Sequence, residues 1–353
     1  MHNKYQTRQD GLSLIELMIA MLLGILLLLT ITSLFITNKR VYKEQESMSR
    51  VQENARFALE TLIWDIRMAG YTGCSDDVSQ VVNHVNGGDD STSIFSFANA
   101  VEGSENAANW VPSGSTDQIG NMVAGTDGIS VSYLNPLGIS ISAPMPQVSA
   151  ELKVKSVGNL KIGDIIALSD CDSADIMELT QIQITGSPVE GHLQHNAGGG
   201  APPPGNATQA LQKKYDTDAQ VVSFVSRRYF IGTGAYGGPS LFRRDVGSAT
   251  AQELIEGVEQ MQILYGKDTD GDKVADTYVD ATNVGATQWS NVVSVRLSLL
   301  FRTVQPNFQI DPDSKTYDLL GGDGNGGVTV GPVNDYNRRR VFTTTIQIRN
   351  RSS

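Results

Sequence analysis

The clearest arrangement of side chains that could do chemistry is an acidic run in the last third of the chain. Four carboxylates and one backbone carbonyl take alternate positions of this run: Asp268, Asp270, Asp272, Val274 and Asp276. In a tight loop this spacing points several oxygens at one hard cation, as in calcium loops. The run is not a full EF-hand, because Gly271 is at the fourth position and Val279 stands where a glutamate is needed. Two interpretations remain open: a Ca²⁺ site, or a solvated acidic turn between two strands.

The other candidate residues for chemistry are histidines and arginines, and they give weaker signals. His192 and His195 are separated by two residues with no cysteine nearby, and His84 stands alone, so we interpret all three as exposed loop residues. No P-loop, HExxH or serine-nucleophile pattern is present, and we do not expect an enzyme. Arginines cluster at 227–228, 243–244 and 338–340, which we interpret as a solvated or subunit-facing surface. The net charge of −11 argues against a nucleic-acid partner.

A long apolar segment near the N terminus must anchor whatever follows it. From Gly11 to Thr37 the sequence carries a single charge, Glu16, and such a run is long enough to cross a bilayer as a helix. A carboxylate inside lipid costs about 2.5 to 3.5 kcal/mol on insertion scales, so Glu16 should have a partner. No small-residue cleavage site follows the apolar run, so it is not an ordinary cleaved secretory signal.

The helix is expected to continue beyond the membrane, because 38–69 contains neither proline nor glycine. Apolar residues recur there at helical spacing: Val51, Ala55, Leu59, Leu62, Ile66 and Ala69. This stripe should pack on a globular domain, and Gly70 is a credible C-terminal cap. The rest of the chain alternates in short runs typical of antiparallel strands. The predicted strands include 221–231, 240–244, 291–302 and 338–349. Segment 251–261 is predicted to be a short helix, and 196–206 an exposed loop.

Two cysteines, Cys74 and Cys171, lie behind the membrane segment. Their number and position fit one disulfide in an oxidising compartment, which would close a loop of about 100 residues and stabilise the domain by about 4 to 5 kcal/mol. The alternative is a pair of unrelated buried thiols.

The N terminus resembles the class III signal of type IV prepilins. The features that carry the resemblance are the short basic leader, Gly11, the apolar Leu12, and Glu16 at the fifth position after the glycine. The resemblance implies that a prepilin peptidase cuts between Gly11 and Leu12 and that Leu12 is then N-methylated. It also implies that Glu16 pairs with the N-terminal amine of a neighbouring subunit and sets its register.

The C-terminal part is similar to the PilW minor pilins in several segments: AGYTGC at 69–74, GDIIALSDC at 163–171, YGKDTDGDKVAD at 265–276, WSNVVSVRLSLLFR at 289–302 and RRRVFTTTIQIRN at 338–350. We therefore expect an α+β fold, with a long N-terminal α-helix packed on an antiparallel β-rich globular domain. The expected divisions are a leader (1–11), a transmembrane or filament-core helix (12–37), its amphipathic continuation (38–70) and the β-rich domain (71–353).

The resemblance implies a minor pilin that helps to initiate type IV pilus assembly and forms part of the pilus tip complex, as needed for twitching motility. Its implied partners are other minor pilins, the major pilin, a PilY-type tip adhesin, prepilin peptidase and the inner-membrane assembly platform. The chain would sit in the inner membrane with its domain in the periplasm, and at the pilus tip after assembly. Two alternatives remain: a type II secretion pseudopilin of the J kind, and a signal-anchored periplasmic calcium-binding domain.

Overall fold

A single long helix dominates the N-terminal part of the protein. The computed structural model describes residues 11, 13–73, 80–86, 99–106, 110, 119–186, 190–198, 204–246, 248, 250–285, 287–308, 310–321 and 327–351. Helix α1 spans Leu14–Met68, 55 residues, which corresponds to about 82 Å. It is continuous, as expected from the run of helix formers, and the chain turns at Ala69 and Gly70, where Gly70 has a φ of 74°.

The remainder of the described chain is mainly strands. In order these are β1 (Val81–Asn83), β2 (Val101–Ser104), β3 (Gly128–Ser140), β4 (Leu152–Val154), β5 (Ile165–Ser169), β6 (Ala174–Glu178), β7 (Gln181–Thr185), β8 (Glu190–Gln194), β9 (Gln220–Thr233), β10 (Pro239–Asp245), β11 (Gln252–Glu256), β12 (Val258–Lys267), β13 (Thr277–Val279), β14 (Val292–Arg302), β15 (Tyr317–Leu319), β16 (Val328–Val330) and β17 (Arg339–Gln347). A one-turn helix α2 (Ala281–Val284) and a short 3-10 helix (Trp289–Asn291) precede β14.

The strands form two principal sheets and two small ones. The first principal sheet has the order β1-β6-β5-β9-β10-β11, with β3 paired to β9 and β2 paired to β3. The second has the order β13-β12-β14-β17. The small sheets are β4-β8-β7 and β15-β16. Pairing is antiparallel except between β1 and β6, which are parallel. The expected α+β fold is therefore confirmed.

The main core lies where the second half of α1 meets both principal sheets. Val51, Ala55, Ala58, Leu62 and Ile66 on the helix are buried against apolar side chains of β3, β9, β10, β12, β14 and β17. The apolar stripe predicted from helical spacing faces this core, although Leu59 is only partly buried. Burial of each larger side chain contributes about 1.5 to 3 kcal/mol, so tertiary packing holds this half of the helix in place.

Segment 251–261 contains β11, a turn at Gly257 and the start of β12, and the prediction of a short helix there was wrong. β11 pairs with β10, and β12 pairs with β14. Gly257 turns the chain between them with a φ of 82°, and a Cβ at this position would lie 2.7 Å from the Arg302 carbonyl oxygen. The glutamates and glutamines of this segment favour a helix locally, but strand pairing on both sides overrides that propensity.

Candidate functional site

The first turn of α1 is closed by its own side chains. Ser13 is the N-cap: its Oγ accepts a hydrogen bond from Glu16 N (3.2 Å), and Glu16 Oε2 accepts one from Ser13 N (3.4 Å). This reciprocal pair is a capping box, and the Glu16 carboxylate also lies favourably at the positive end of the helix dipole. Gly11 is exposed, whereas Leu12 and the leader residues 1–10 lie outside the described residues. Cleavage and methylation therefore stay predictions.

The first half of α1 has no contact with the globular domain that would cover it. Each large hydrophobic side chain from Leu14 to Ile36 keeps at least 47% of its surface exposed. By length and composition this is a helix that could cross a membrane. An exposed apolar surface of this extent is unstable in water and needs lipid or neighbouring helices to cover it. The arrangement is consistent with a membrane-anchored protein.

Asp65 fixes the second half of the helix to the first principal sheet. It is 1% exposed, and its carboxylate accepts hydrogen bonds from Tyr133 Oη (2.8 Å), from Tyr229 Oη and from Arg227 Nη1 (3.0 Å). Burial and the Asp65 carboxylate raise the pKa of both phenols, so they stay protonated and donate. Burial lowers the pKa of Arg227, but Asp65 more than offsets this and the net shift is upward. The sequence analysis did not predict this cluster. The local sign of it is that a carboxylate, Asp65, adjoins the apolar stripe of the helix.

The acidic run forms a loop between β12 and β13. Oxygens of Asp268, Asp270 and Asp276 lie within 4.8 Å of one another, whereas Asp272 is outside this group and accepts a hydrogen bond from Val274 N (2.8 Å). Backbone N–H groups, first that of Gly271, lower the pKa of Asp268, and Thr269 does the same for Asp276. Three carboxylates therefore converge, and this arrangement suits a hard cation such as Ca²⁺.

Two carboxyl groups, Asp127 just before β3 and Glu105 just after β2, have raised pKa values because burial removes them from solvent. Asp127 is 1% exposed and accepts hydrogen bonds from Asn106 N (3.1 Å) and Ile263 N (2.8 Å). Burial, and secondarily the charge of Glu105, raise the pKa of Asp127 to about 8. Burial and the charge of Asp280 raise the pKa of Glu105 to about 7. Both groups therefore bind protons more tightly in the folded than in the unfolded chain.

This pair makes stability depend on pH in a defined direction. Because both folded-state pKa values are raised, the stabilising protons are present at pH 5 and are lost as the pH rises toward 8. We expect the Glu105→Gln variant, which lacks one of the two charges, to lose about 2 kcal/mol less free energy of unfolding between pH 5 and pH 8 than the wild type. The measurement is the free energy of urea unfolding of the full chain in detergent at pH 5, 6.5 and 8. A variant whose stability falls between pH 5 and 8 as steeply as the wild type would contradict the assignment.

The three histidines are not exposed loop residues, and that interpretation was wrong. His84 and His195 are 6% and 1% exposed, and His84 Nε2 contacts the buried carboxylate of Asp175. Burial lowers the pKa of His195, whose Nε2 lies 3.0 Å from the Ala150 carbonyl oxygen. His192 is on β8 and lies 2.6 Å from Glu151 Oε1. Each histidine therefore has a polar partner that is distant along the chain: Asp175 on β6, or Ala150 and Glu151 just before β4.

The loop expected at 196–206 is likewise not wholly exposed. Asn206 is 1% exposed and bonds to both backbone groups of Glu178, donating to its carbonyl oxygen (2.8 Å) and accepting from its N–H (2.7 Å). The middle of the loop, 199–203, lies outside the described residues. Its far end is therefore held against β6.

The expected arginine surface is also corrected by the structure. Arg228 is 1% exposed, Arg227 binds Asp65, and Arg339 is buried among Glu259, Asp313 and Asp335. Arg227 and Arg339 point inward because carboxylates from other segments meet them there. Sequence alone does not reveal such partners, since they are distant along the chain.

The cysteine pairing stays a prediction. Cys171 lies in the turn between β5 and β6 with a φ of 74°. Cys74, soon after the end of α1, lies outside the described residues.

Comparison with known proteins gives one family. A family model described as PilW, type IV pilus-assembly protein W, matches residues 228–350, about a third of the chain. This range runs from β9 to the end of β17 and includes the acidic loop and the second principal sheet. No curated protein and no solved structure matches the chain. This match, together with the apolar N-terminal helix and the β-rich domain, supports a PilW-family pilus protein.

Proposed function

We propose that this chain is a minor pilin that takes part in initiating type IV pilus assembly and stays in the complex at the pilus tip. The observation that carries the proposal is the combination of the family match with a helix whose apolar half is entirely uncovered. A family of pilus-assembly proteins implies a structural role, and an uncovered apolar helix is the part through which such a protein joins a membrane or a bundle of helices.

In this role the residues of the chain contact the membrane and the neighbouring subunits. The apolar half of α1 inserts in the inner membrane and later packs among the helices of other minor pilins and the major pilin. Glu16 meets the amine of a neighbouring subunit, and an ion pair of this kind in low dielectric is favourable only with good geometry. The β-rich domain lies on the periplasmic side, where it contacts neighbouring subunits and a PilY-type adhesin.

Processing provides the direct test of this proposal. In a strain with active prepilin peptidase, we expect the intact mass of the membrane-bound protein to correspond to a chain that begins at Leu12 and carries one methyl group. A protein that still begins at Met1 would contradict the pilin assignment and favour a signal-anchored periplasmic domain. Deletion of the gene should abolish surface pili and twitching; loss of protein secretion instead would favour a type II pseudopilin.

The role of Glu16 is tested with a matched helix variant. We expect a strain carrying Glu16→Ala to lack surface pili, because the helix loses its charged partner for the neighbouring amine. Glu46→Ala is the control, since Glu46 lies on the exposed side of the same helix and pairs with Arg50 at 2.8 Å. An exposed pair of this kind contributes about 0.3 to 0.5 kcal/mol, so this strain should form pili normally.

We also propose that the acidic loop binds Ca²⁺ through Asp268, Asp270 and Asp276, whose oxygens converge. A ligand at 100 times its Kd stabilises the folded state by about 2.7 kcal/mol. We therefore expect the melting temperature of the full chain to be higher in excess Ca²⁺ than in chelator, and Asp270→Asn to abolish the difference. Asp216→Asn, an exposed carboxylate outside the loop, should retain it. Equal melting temperatures of the wild type in Ca²⁺ and chelator would exclude the site.

A further inference from the structure

One end of the globular domain, here called the base, lies beside the point where α1 leaves its apolar segment. The base consists of 234–238, 303–308, 310–315 and 331–338. β17 begins next to Glu44 of the helix, because Glu44 Oε1 accepts a hydrogen bond from Arg338 Nε at 3.0 Å. It ends near Arg67 of the helix, whose carbonyl oxygen accepts a hydrogen bond from Arg349 N at 3.3 Å. The strand therefore runs along the helix, and the base is the end of the domain nearest the apolar half.

The base lies close enough to a membrane to reach lipid headgroups. Glu44 is seven residues beyond Thr37, which ends the apolar run, and this separation corresponds to about 10 Å along a helix. The headgroup layer extends about 5 to 8 Å beyond the hydrocarbon on each side. The level of Glu44 is therefore only about 2 to 5 Å beyond the headgroup layer when the helix stands upright.

Large apolar side chains are exposed on this base. Tyr236 at the tip of the β9–β10 hairpin is 87% exposed and Phe308 is 73% exposed. Val304 and Val333 are 37% and 41% exposed. Val333 is part of the base because the next residue, Asn334, donates its backbone N–H to the carbonyl oxygen of Asp313 at 2.9 Å. Aromatic side chains with this exposure are typical of the interface between a membrane and water.

The loops of the base lie on one side of the helix. Tyr236 shares a groove with Lys43 and Ser47, and the loop 311–315 shares one with Glu44 and Met48. Helix positions 43, 44, 47 and 48 occupy less than half of the helix circumference. An apolar run longer than the hydrocarbon thickness is accommodated by tilting. A tilt toward this side lowers both loops onto the membrane together.

The charges next to the apolar run favour the same tilt of the domain toward the membrane. Lys39, Arg40 and Lys43 follow the apolar run directly, and basic residues next to a span are attracted to anionic lipids. Most acidic side chains near this level are paired with arginines: Glu44 with Arg338, Glu46 with Arg50, and Asp313 and Asp335 with Arg339. Asp311 is exposed. The chain as a whole has a net charge of −11, so an anionic membrane repels its other surfaces.

We propose that the base docks on the anionic headgroup layer of the membrane that α1 spans, with Tyr236 and Phe308 inserted among the lipid headgroups. The proposal rests on the insertion of α1 in the membrane and goes beyond the assembly role. Docking fixes the tilt of the domain, and with it the face of α1 offered to the next subunit, before the helix leaves the membrane.

Photocrosslinking of the full chain in vesicles tests the docking surface. The photoreactive residue p-benzoylphenylalanine replaces Tyr236, Phe308 or, as the control, Ile184, which is 61% exposed on β7 at the far end of the domain. Each variant is reconstituted in vesicles of phosphatidylethanolamine with phosphatidylglycerol, checked by flotation and circular dichroism, and illuminated. Lipid adducts are measured by mass spectrometry. We expect adducts at positions 236 and 308 and none at 184.

The outcomes separate this proposal from the assembly role. A folded chain that does not float with the vesicles would overturn both the docking surface and the membrane anchor. Flotation with no more adducts at 236 and 308 than at 184 would overturn the docking surface alone. In phosphatidylcholine vesicles we expect fewer adducts, and equal yields in the two kinds of vesicle would overturn the part assigned to Lys39, Arg40 and Lys43.

Discussion

Replacing Asp65 with alanine is expected to lower the free energy of unfolding of the domain by about 3 to 5 kcal/mol, the usual cost of removing one partner of a buried ion pair. The substitution leaves Arg227 without its ion-pair partner on the helix and leaves the hydroxyl groups of Tyr133 and Tyr229 without their acceptor. Each unsatisfied buried polar group adds about 1 to 3 kcal/mol, although the losses are not additive.

The measurement is urea unfolding of the purified full chain in detergent, followed by the fluorescence of Trp289, which is 4% exposed in the main core. Glu60→Ala is the matched control, because Glu60 is an exposed carboxylate of the same helix that lies 3.4 Å from Arg56. It should change stability by less than about 0.5 kcal/mol. The double variant Asp65→Leu with Arg227→Met should be more stable than Asp65→Ala, since it leaves no unpaired charge. A loss below about 1 kcal/mol for Asp65→Ala would contradict the anchoring role.

The same cluster explains why sequence predicted the path of the helix better than its attachment. The apolar stripe from Val51 to Ile66 has a strict helical period, and this local pattern correctly predicted which face packs on the domain. Asp65 adjoins that stripe, but its partners lie on β3 and β9, 68 to 164 residues away along the chain. Nothing local in the sequence specifies such pairs, so a buried carboxylate cannot be distinguished from a solvated one.

The strands too were predicted correctly where the pattern is local, and wrongly where the structure depends on residues that are distant along the chain. Short apolar alternating runs correctly predicted the hairpin of β9 and β10 and the central strand β14, although β14 is buried on both faces. Local patterns failed for 251–261, where helix-forming residues pair with β10 and β14, and for the histidines, whose partners are distant along the chain. The acidic loop was recognised by spacing, and three of its four carboxylates converge; Asp272 does not join them because its side chain caps a backbone N–H of its own loop.

Substitution of Arg339 by methionine is expected to destabilise the base of the domain by about 3 to 5 kcal/mol. This side chain has no solvent exposure and joins three carboxylates from different segments: Glu259 at 3.0 Å, Asp313 at 3.2 Å and Asp335 at 2.6 Å. Methionine fills a similar volume but leaves these carboxylates to repel one another without a cation. Lysine should not rescue the variant, because it cannot form the several directed hydrogen bonds of a guanidinium.

The pH dependence distinguishes loss of this cluster from general loosening of the core. Hydrogen bonds from Arg339 hold the pKa of Asp335 well below its ordinary value. A depressed folded-state pKa contributes stability that is fully present above the unfolded pKa of about 4 and is lost as the pH falls below it. In the wild type we therefore expect stability to fall between pH 5 and pH 3. In Arg339→Met this part of the fall should disappear, because Asp335 no longer has a cation to keep it ionised.

Arg340→Met is the matched control for this experiment, since Arg340 is the next residue of the same strand, its side chain is exposed, and its guanidinium lies over the ring of Phe342 at 5.4 Å. It should cost less than about 1 kcal/mol and keep the acid-dependent loss. Hydrogen exchange locates the effect: in Arg339→Met, amides of 311–315 and 334–338 should exchange faster while those of β9 stay protected. If the amides of β9 also exchanged faster in Arg339→Met, to the same extent as those of the base, Arg339 would stabilise the whole core. The assignment of the cluster to the base would then be wrong.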